Sequence, residues 1–291
     1  MKTYTMKELT IISGKGGTGK TSIIASLASL AGNKVIVDAD VDAADLHLVI
    51  PPRIRHRADF EGGSIAAIDN GLCTECGECR ERCRYGAVSE DYSIDPIACE
   101  GCGVCVHFCP ADAIAFNRRT CGEWYISDTD HGPMVHAKLG IAEENSGLLV
   151  SLLRKEAKEL AEKESLETIL LDGPPGIGCP VIASVTGATA VLVISEPTMS
   201  GLHDLKRVNE LASFLNVPAM ACVNKFDINP ELSEEIKSYA KESHMTYVGS
   251  VPYDTDVTAA MVAQKSLVDF SNGKGAAAVK KVWENVQQFM D

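Results

Sequence analysis

The chain has 291 residues, 45% of them hydrophobic, and a formal net charge of −13. That is enough apolar material for one large domain plus a small module, and the acidity, with no basic stripe, excludes nucleic acid as a main partner. Residues 1–10 are polar and charged where a secretory leader would be apolar, and no later stretch has the length of a membrane span, so a cytoplasmic protein that does not enter a membrane is expected.

In chain order, Leu9–Ser13 is a short apolar run that reads as a buried strand, and Gly14-Lys15-Gly16-Gly17-Thr18-Gly19-Lys20-Thr21 follows it directly. This is a P-loop. Its glycines leave backbone N–H groups open to phosphate oxygens, and the helix predicted from Ser22 to Leu30 adds its positive end. Lys20 then reaches the outer phosphates and Thr21 ligates magnesium. Residues Gly14 to Ser22 are therefore the candidate nucleotide site. Lys34–Asp38 is a second strand, ending in Asp38-Ala39-Asp40. Acids at strand ends also form ordinary turns, so Asp38 and Asp40 gain meaning only beside the P-loop.

Next come eight cysteines in two copies of one pattern, Cys73-x-x-Cys76-x-x-Cys79-x-x-x-Cys83 and Cys99-x-x-Cys102-x-x-Cys105-x-x-x-Cys109, the second followed by Pro110. Each cysteine has its counterpart 26 residues on, and Ala87-Val88 is echoed by Ala113-Ile114, so the segment is an internal duplication. Three thiolates at this spacing wrap one corner of a cubane, whereas the fourth is carried away to the other cluster. Cys73, Cys76, Cys79 and Cys109 are thus assigned to one 4Fe-4S centre, and Cys99, Cys102, Cys105 and Cys83 to a second. Gly77, Gly101 and Gly103 would let backbone N–H groups approach the sulfurs. Zinc prefers paired CxxC units, and a reducing cell does not keep disulfides. Arg84 stands where the first copy would carry its proline, which leaves the ligands intact.

Beyond this module, Glu167–Asp172, Ala190–Ser195 and Ala219–Val223 read as further strands. Asn224-Lys225-Phe226-Asp227 leaves the base ambiguous, since its carboxylate is also how GTPases read guanine. Strand and helix patterns alternate throughout, the sign of a parallel sheet covered on both faces. The expected fold is α/β, a P-loop NTPase with a mostly parallel sheet (1–58 and 118–291), plus an inserted two-cluster ferredoxin-like domain (59–117). His131 and His136 are expected in surface or core packing, and Cys121 and Cys222 in structural roles. From Ala276 to Met290, Val279, Val282, Trp283, Val286 and Phe289 fall on one helical face, which suits a helix packed on the sheet.

The lysine directly before the paired glycines, Lys15, resembles the signature of the MinD/ParA/Mrp group of P-loop ATPases, to which the nitrogenase iron protein belongs. The stretches His131–His136, Glu143–Gly147, Asp172–Pro180 and Glu196–Asp204 narrow the resemblance to MinD-superfamily ATPases with an inserted ferredoxin domain, along nearly the whole chain. The resemblance implies that Lys15 reaches across a nucleotide-sandwich homodimer to the partner's phosphates. It makes Asp38–Asp40 the first switch, Asp172 the Walker B acid and Gly173–Gly176 the second switch, whose Gly176 N–H senses the γ-phosphate. With the P-loop present, Asp38 and Asp172 take magnesium or its waters, and Asp40 positions the attacking water. Asn224 and the loop Val251–Asp254, with Pro252 and Asp254, would meet adenine, so ATP is expected over GTP. MinD itself ends in a membrane-targeting helix, but the polar face of 276–290 carries few lysines.

Cys179 lies seven positions after Asp172, where the nitrogenase iron protein holds a ligand to a cluster bridging its dimer. No second ligand accompanies it, so a small core residue is the preferred reading. The function implied is nucleotide-gated electron transfer to a redox partner protein, with a paralogue as one candidate, and with Lys15 and Asp40 catalytic. An iron–sulfur carrier of the Mrp type is disfavoured, because no CxxC pair exists outside the insert. A positioning ATPase whose clusters stabilise it or sense redox state stays open.

Overall fold

The computed structural model describes residues 6–140, 143 and 146–291. Residues 1–5 of the polar N-terminal segment, and Glu144 and Asn145 of the 143–147 string, lie outside the described residues. The elements in chain order are β1 (Lys7–Ser13), α1 (Lys20–Leu30), β2 (Lys34–Asp38), α2 (Leu46–Val49), β3 (Arg53–Ile68), α3 (Glu78–Arg82), α4 (Val104–His107), β4 (Ile114–Thr129) and β5 (Gly132–Leu139). After them come α5 (Gly147–Glu164), β6 (Thr168–Asp172), α6 (Cys179–Val185), β7 (Ala190–Ser195), α7 (Met199–Phe214) and β8 (Ala219–Asn224). The chain finishes with α8 (Pro230–Glu242), β9 (Thr246–Val251), α9 (Asp256–Val262), α10 (Leu267–Phe270) and α11 (Lys274–Met290).

Two units result. The first takes in the described residues of Met1–Ala58, Trp124–Lys138 and Asn145–Asp291, and the second those of Asp59–Glu123 and Leu139–Glu144. The insert was expected to end at 117. It runs further because β4 continues unbroken from Ile114 to Thr129, carrying the turn-forming Asn117 in mid-strand.

The strand order is β3-β4-β5-β2-β6-β1-β7-β8-β9. From β5 to β9 every neighbouring pair is parallel. β4 and β5 are joined by only two residues, a link that only antiparallel neighbours can use. Alternation along β1 explains the two cores: Leu9 and Ile11 pack with α1 and α11, whereas Ile12 packs with α6, α7 and α8. The apolar stripe of α11 lies in the first core, with Val279, Val282, Trp283 and Val286 buried and Phe289 against them. Each fully buried aliphatic side chain adds about 1.5–3 kcal/mol. Side-chain caps start the covering helices, Ser146 accepting from Leu149 N–H, Thr198 from Gly201 N–H and Asn229 from Leu232 N–H. Among the described residues no helix is long and apolar enough to cross a membrane.

In the second unit the duplication is structural. α3 and α4 start 26 residues apart, and the residue before each, Gly77 and Gly103, has a left-handed φ of 83° and 72°. A side chain there would be strained, so glycine sets where each cysteine loop turns into its helix. The echoed pairs Ala87-Val88 and Ala113-Ile114 are all buried. Val88 and Ile114 form a small core with Ala66 and Cys79, against which Cys83, Cys99, Cys105 and Cys109 pack.

Candidate functional site

In a parallel sheet ligands sit beyond the carboxyl ends of the strands, and here Ser13, Asp38, Asp172, Ser195, Asn224 and Val251 all end theirs. The cleft above them is lined by Gly16 to Ile23, by Asp40 and Asp45, by Pro175, by Asn224 and Lys225, and by Val251 to Asp254. Gly16, Gly17, Thr18, Gly19, Lys20, Thr21, Ser22, Asp40, Asn224, Pro252 and Asp254 are therefore gathered around one cleft. Its wall beyond the P-loop is apolar, formed by Val257, Met261, Leu267 and Val279.

Three acids lie beneath the P-loop. Asp38 and Asp172 are register partners on adjacent strands, both nearly inaccessible, and Asp40 follows on the loop. Burial, and then the Asp172 charge, push the Asp38 carboxyl well above the usual range. Burial raises Asp172 as well, partly opposed by Lys20. The Lys20 ammonium answers these charges. It donates to Asp40 Oδ2 at 3.0 Å and to Asp172 Oδ1, and although burial opposes it, the two acids hold its pKa above the ordinary value. Expected at the outer phosphates, Lys20 here rests on the acids, because three buried carboxylates without a cation would repel one another.

The site fits a magnesium nucleotide on its own chemistry. Asp38 Oδ1 and Thr18 Oγ1 are buried without a hydrogen-bond partner. Thr21, Asp38 and Asp172 all offer oxygen donors, the chemistry that magnesium takes.

Asn224 has a second task that the sequence did not reveal. Its amide donates to the Thr18 carbonyl at 2.7 Å, and it fills the space where Gly19 has no side chain, since a β-carbon there would lie 2.3 Å from Nδ2. Asp227, the residue that would read guanine, spends Oδ1 on the Tyr253 N–H at 2.7 Å and does not line the cleft. Asp254 caps the chain at Asp256 N–H and Gly275 N–H, each at 3.0 Å.

Three expected nucleotide residues stand apart. Gly14 and Lys15 line a neighbouring hollow with Glu196, Gly201 and Asp204. The Gly176 N–H, expected at the γ-phosphate, donates to the Ser13 carbonyl at 3.0 Å, and Pro175 rather than Gly176 faces the cleft. The Lys15 ammonium lies 3.2 Å from Ser200 Oγ, 3.5 Å from Thr198 Oγ1 and 3.5 Å from Glu196 Oε2. The other Glu196 oxygen, Oε1, accepts from Lys225 Nζ at 2.5 Å, and Lys225 also donates to the Gly17 carbonyl at 3.3 Å. Glu196 and Lys225 were not among the expected site residues. The sequence signal was there, since Glu196 opens the family-like string 196–204 and Lys225 stands in the Asn224–Asp227 motif, each directly after its strand, β7 or β8.

In the second unit, Cys83 lines one cavity together with Cys99, Cys102 and Cys105, walled by Ala66, Val88, Ile94 and Phe116. The first copy's fourth cysteine is thus delivered by α3 to the second copy's triplet, and four thiols in an apolar wall fit a 4Fe-4S centre. Cys73 and Cys76 are close enough to Cys79 to act on its thiol, which burial pushes up. Cys109 Sγ accepts from the Ala113 N–H at 3.3 Å. Gly101 serves packing, since a β-carbon would lie 2.1 Å from the Ser64 carbonyl oxygen. Among the described residues no three His, Cys, Asp or Glu side chains are grouped to hold a single metal ion. A cubane instead takes one thiolate per iron.

Of the remaining residues, Cys222 is fully buried, burial pushing its thiol up to about 12, and Cys121 is buried with its thiol donating to the Gly62 carbonyl at 2.8 Å. Cys179, expected in the core, is exposed, because it opens α6 ahead of Pro180. His136 stacks on Tyr125 and bonds Ser127 Oγ at 2.8 Å, and burial lowers it to about 4. His131 lies 3.5 Å from Asp269.

Comparison with known proteins agrees with this geometry. The model of the CobQ/CobB/MinD/ParA nucleotide binding domain matches residues 9–267. An uncharacterised protein of Methanocaldococcus jannaschii, MJ0578, is 35% identical over 287 residues, 97% of each chain. Pyruvate synthase subunit PorD of Methanothermobacter marburgensis is 35% identical over 51 residues, 18% of this chain and 63% of PorD. The septum site-determining protein MinD of Pyrococcus horikoshii, solved with Mg-ADP, superposes with a TM-score of 0.61 at 16% identity, over 98% of this chain and 97% of that one.

Proposed function

The chain belongs to the CobQ/CobB/MinD/ParA nucleotide-binding family, and from that premise we propose that it is an ATP-hydrolysing iron–sulfur protein whose nucleotide cycle gates electron transfer to a partner protein. The observation that carries this reading is the pairing of a P-loop cleft and a cysteine-rich unit in one chain. The cleft stands above three buried acids, and the unit, with its eight cysteines, is inserted between the first and second switch.

Adenine is favoured over guanine because Asp227 Oδ1 is taken by the Tyr253 N–H and Asp227 does not line the cleft, whose inner wall is apolar. Thr21, Asp38 and Asp172 would hold magnesium, which supplies charge neutralisation at the phosphates. Asp40, at the cleft surface, would orient the attacking water, and the P-loop N–H groups would hold the phosphates. Lys15, partly exposed in the neighbouring hollow, would serve a second copy of the chain, and its exposure supports a nucleotide-sandwich homodimer. Cys73, Cys76, Cys79 and Cys109 would hold one 4Fe-4S cluster and Cys83, Cys99, Cys102 and Cys105 the other. When bound, the clusters would supply one-electron transfer. The short likeness to PorD, confined to 51 residues, supports a ferredoxin-like insert. A cytoplasmic setting suits thiols that must stay reduced.

The test is anaerobic purification with iron and sulfide analysis, joined to a magnesium-dependent turnover assay. About eight iron and eight sulfide per chain, with ATP hydrolysed in preference to GTP, are expected. Protein without iron, or turnover of GTP alone, would overturn the reading.

A further inference from the structure

One carboxylate, Glu196, stands between two cations, of which Lys225 lines the nucleotide cleft and Lys15 the neighbouring hollow. Glu196 follows β7 and is largely buried, with a side chain 15% exposed. Its Oε1 accepts from Lys225 Nζ at 2.5 Å, and its Oε2 lies 3.5 Å from Lys15 Nζ. The two lysines are not equivalent. Lys225 lines the cleft and is held a second time by the Gly17 carbonyl, so it is fixed to its own P-loop. Lys15 is somewhat more exposed, lines a different hollow, and among the described residues has the hydroxyls of Ser200 and Thr198 as its further partners. The Lys225 ammonium beside Glu196 repels that of Lys15, so Lys15 is held less tightly than it would be by a carboxylate with no other cation, and the longer contact, to the more exposed lysine, is the weaker of the two.

We propose that Glu196, with Ser200, is a counter-ion latch that keeps Lys15 on its own chain, so that release of Lys15 from Glu196 is a step in engaging a second copy of the chain. This rests on the reading that Lys15 acts across a homodimer. Lys225 makes the latch reversible: when Lys15 leaves, Glu196 keeps a cation and is not stranded as an unpaired, largely buried charge. The affinity between copies is then set by a competition for Lys15 between Glu196 of its own chain and the phosphates bound by the other.

The experiment measures homodimerisation by light scattering or sedimentation with a non-hydrolysable ATP analogue, for the wild-type holoprotein, Glu196→Gln, Glu196→Asp and Ser200→Ala. Glu196→Gln keeps the shape and removes the charge, and should dimerise about threefold to tenfold more tightly than wild type, a range set by exposed and partly buried ion pairs. Ser200→Ala should move the same way by less. Glu196→Asp should fall between wild type and Gln, because the shorter side chain cannot hold both lysines. The gain should shrink at high salt. Should wild type dimerise while Glu196→Gln and Ser200→Ala match it or bind more weakly, the latch is refuted. Should wild type and all variants stay monomeric with bound analogue, it is the trans role of Lys15, and with it the latch, that falls.

Discussion

Replacing Gly19 by alanine tests how the P-loop is held. Gly19 has φ +82°, and a β-carbon on it would lie 2.3 Å from Asn224 Nδ2, so the amide has to leave. It would give up its 2.7 Å bond to the Thr18 carbonyl. The left-handed backbone costs about 1–2 kcal/mol for a non-glycine residue, and the broken buried bond about 1–3 kcal/mol, so roughly 2–5 kcal/mol is expected in all. In a chain of this size that is a fall in Tm of roughly 5–15 °C. The assay is thermal or denaturant unfolding of Gly19→Ala, Asn224→Ala and the double variant. Because the clash and the bond involve the same amide, the double variant should lose less than the sum of the singles. A Gly19→Ala loss under about 1 kcal/mol, or strictly additive losses, would refute the reasoning.

Cys83→Ala should remove the EPR signal of the cluster held by Cys99, Cys102 and Cys105 and spare the other, because Cys83 shares a cavity with that triplet. An unchanged second signal would sink the cross-ligation. Lys20→Ala should destabilise the protein by about 3–5 kcal/mol even without nucleotide, since it strands buried acids, whereas Lys15→Ala should change stability by under about 1 kcal/mol and still bind ATP. Equal stability of Lys20→Ala and wild type in denaturant melts would contradict this. Asp38 has a raised pKa in the folded protein, so its contribution to stability is complete below its ordinary value of 3.8 and is lost as pH rises through the folded value. Asp38→Asn should therefore flatten the decline in stability above about pH 4, by at most about 1.4 kcal/mol per pH unit. Parallel curves for the two proteins would refute it.

What the sequence made legible was local. The P-loop and the cysteine copies are contiguous, and their spacing alone carries the chemistry. β3 and β4 escaped notice because Arg53, Arg55, Arg57 and the Gly62-Gly63 pair hide a strand pattern, and β5 because it opens with Gly132-Pro133. Within the site the missing parts were long-range. Glu196 meets Lys15, and Asn224 meets Thr18, only because β7 lies beside β1 and β8 beside β7 in the sheet. Nothing in the residues around Lys20 says that it will rest on Asp40 and Asp172. That follows from burial of two acids at the ends of neighbouring strands and a third, Asp40, on the loop just after one of them. Cys179 was misplaced because composition favours a buried cysteine, whereas the helix start puts it outside.

The central claim is that nucleotide and clusters form one machine. If ATP binds the two redox states with different affinity, linkage requires the cluster potentials to shift when ATP binds. The measurement is a redox titration of Asp40→Asn, which should bind ATP but not hydrolyse it, with and without magnesium-ATP. A coupling of about 1–3 kcal/mol would appear as a shift of roughly 40–130 mV in at least one cluster. Identical potentials for both clusters in the two conditions would contradict the account and leave a positioning ATPase with structural or redox-sensing clusters.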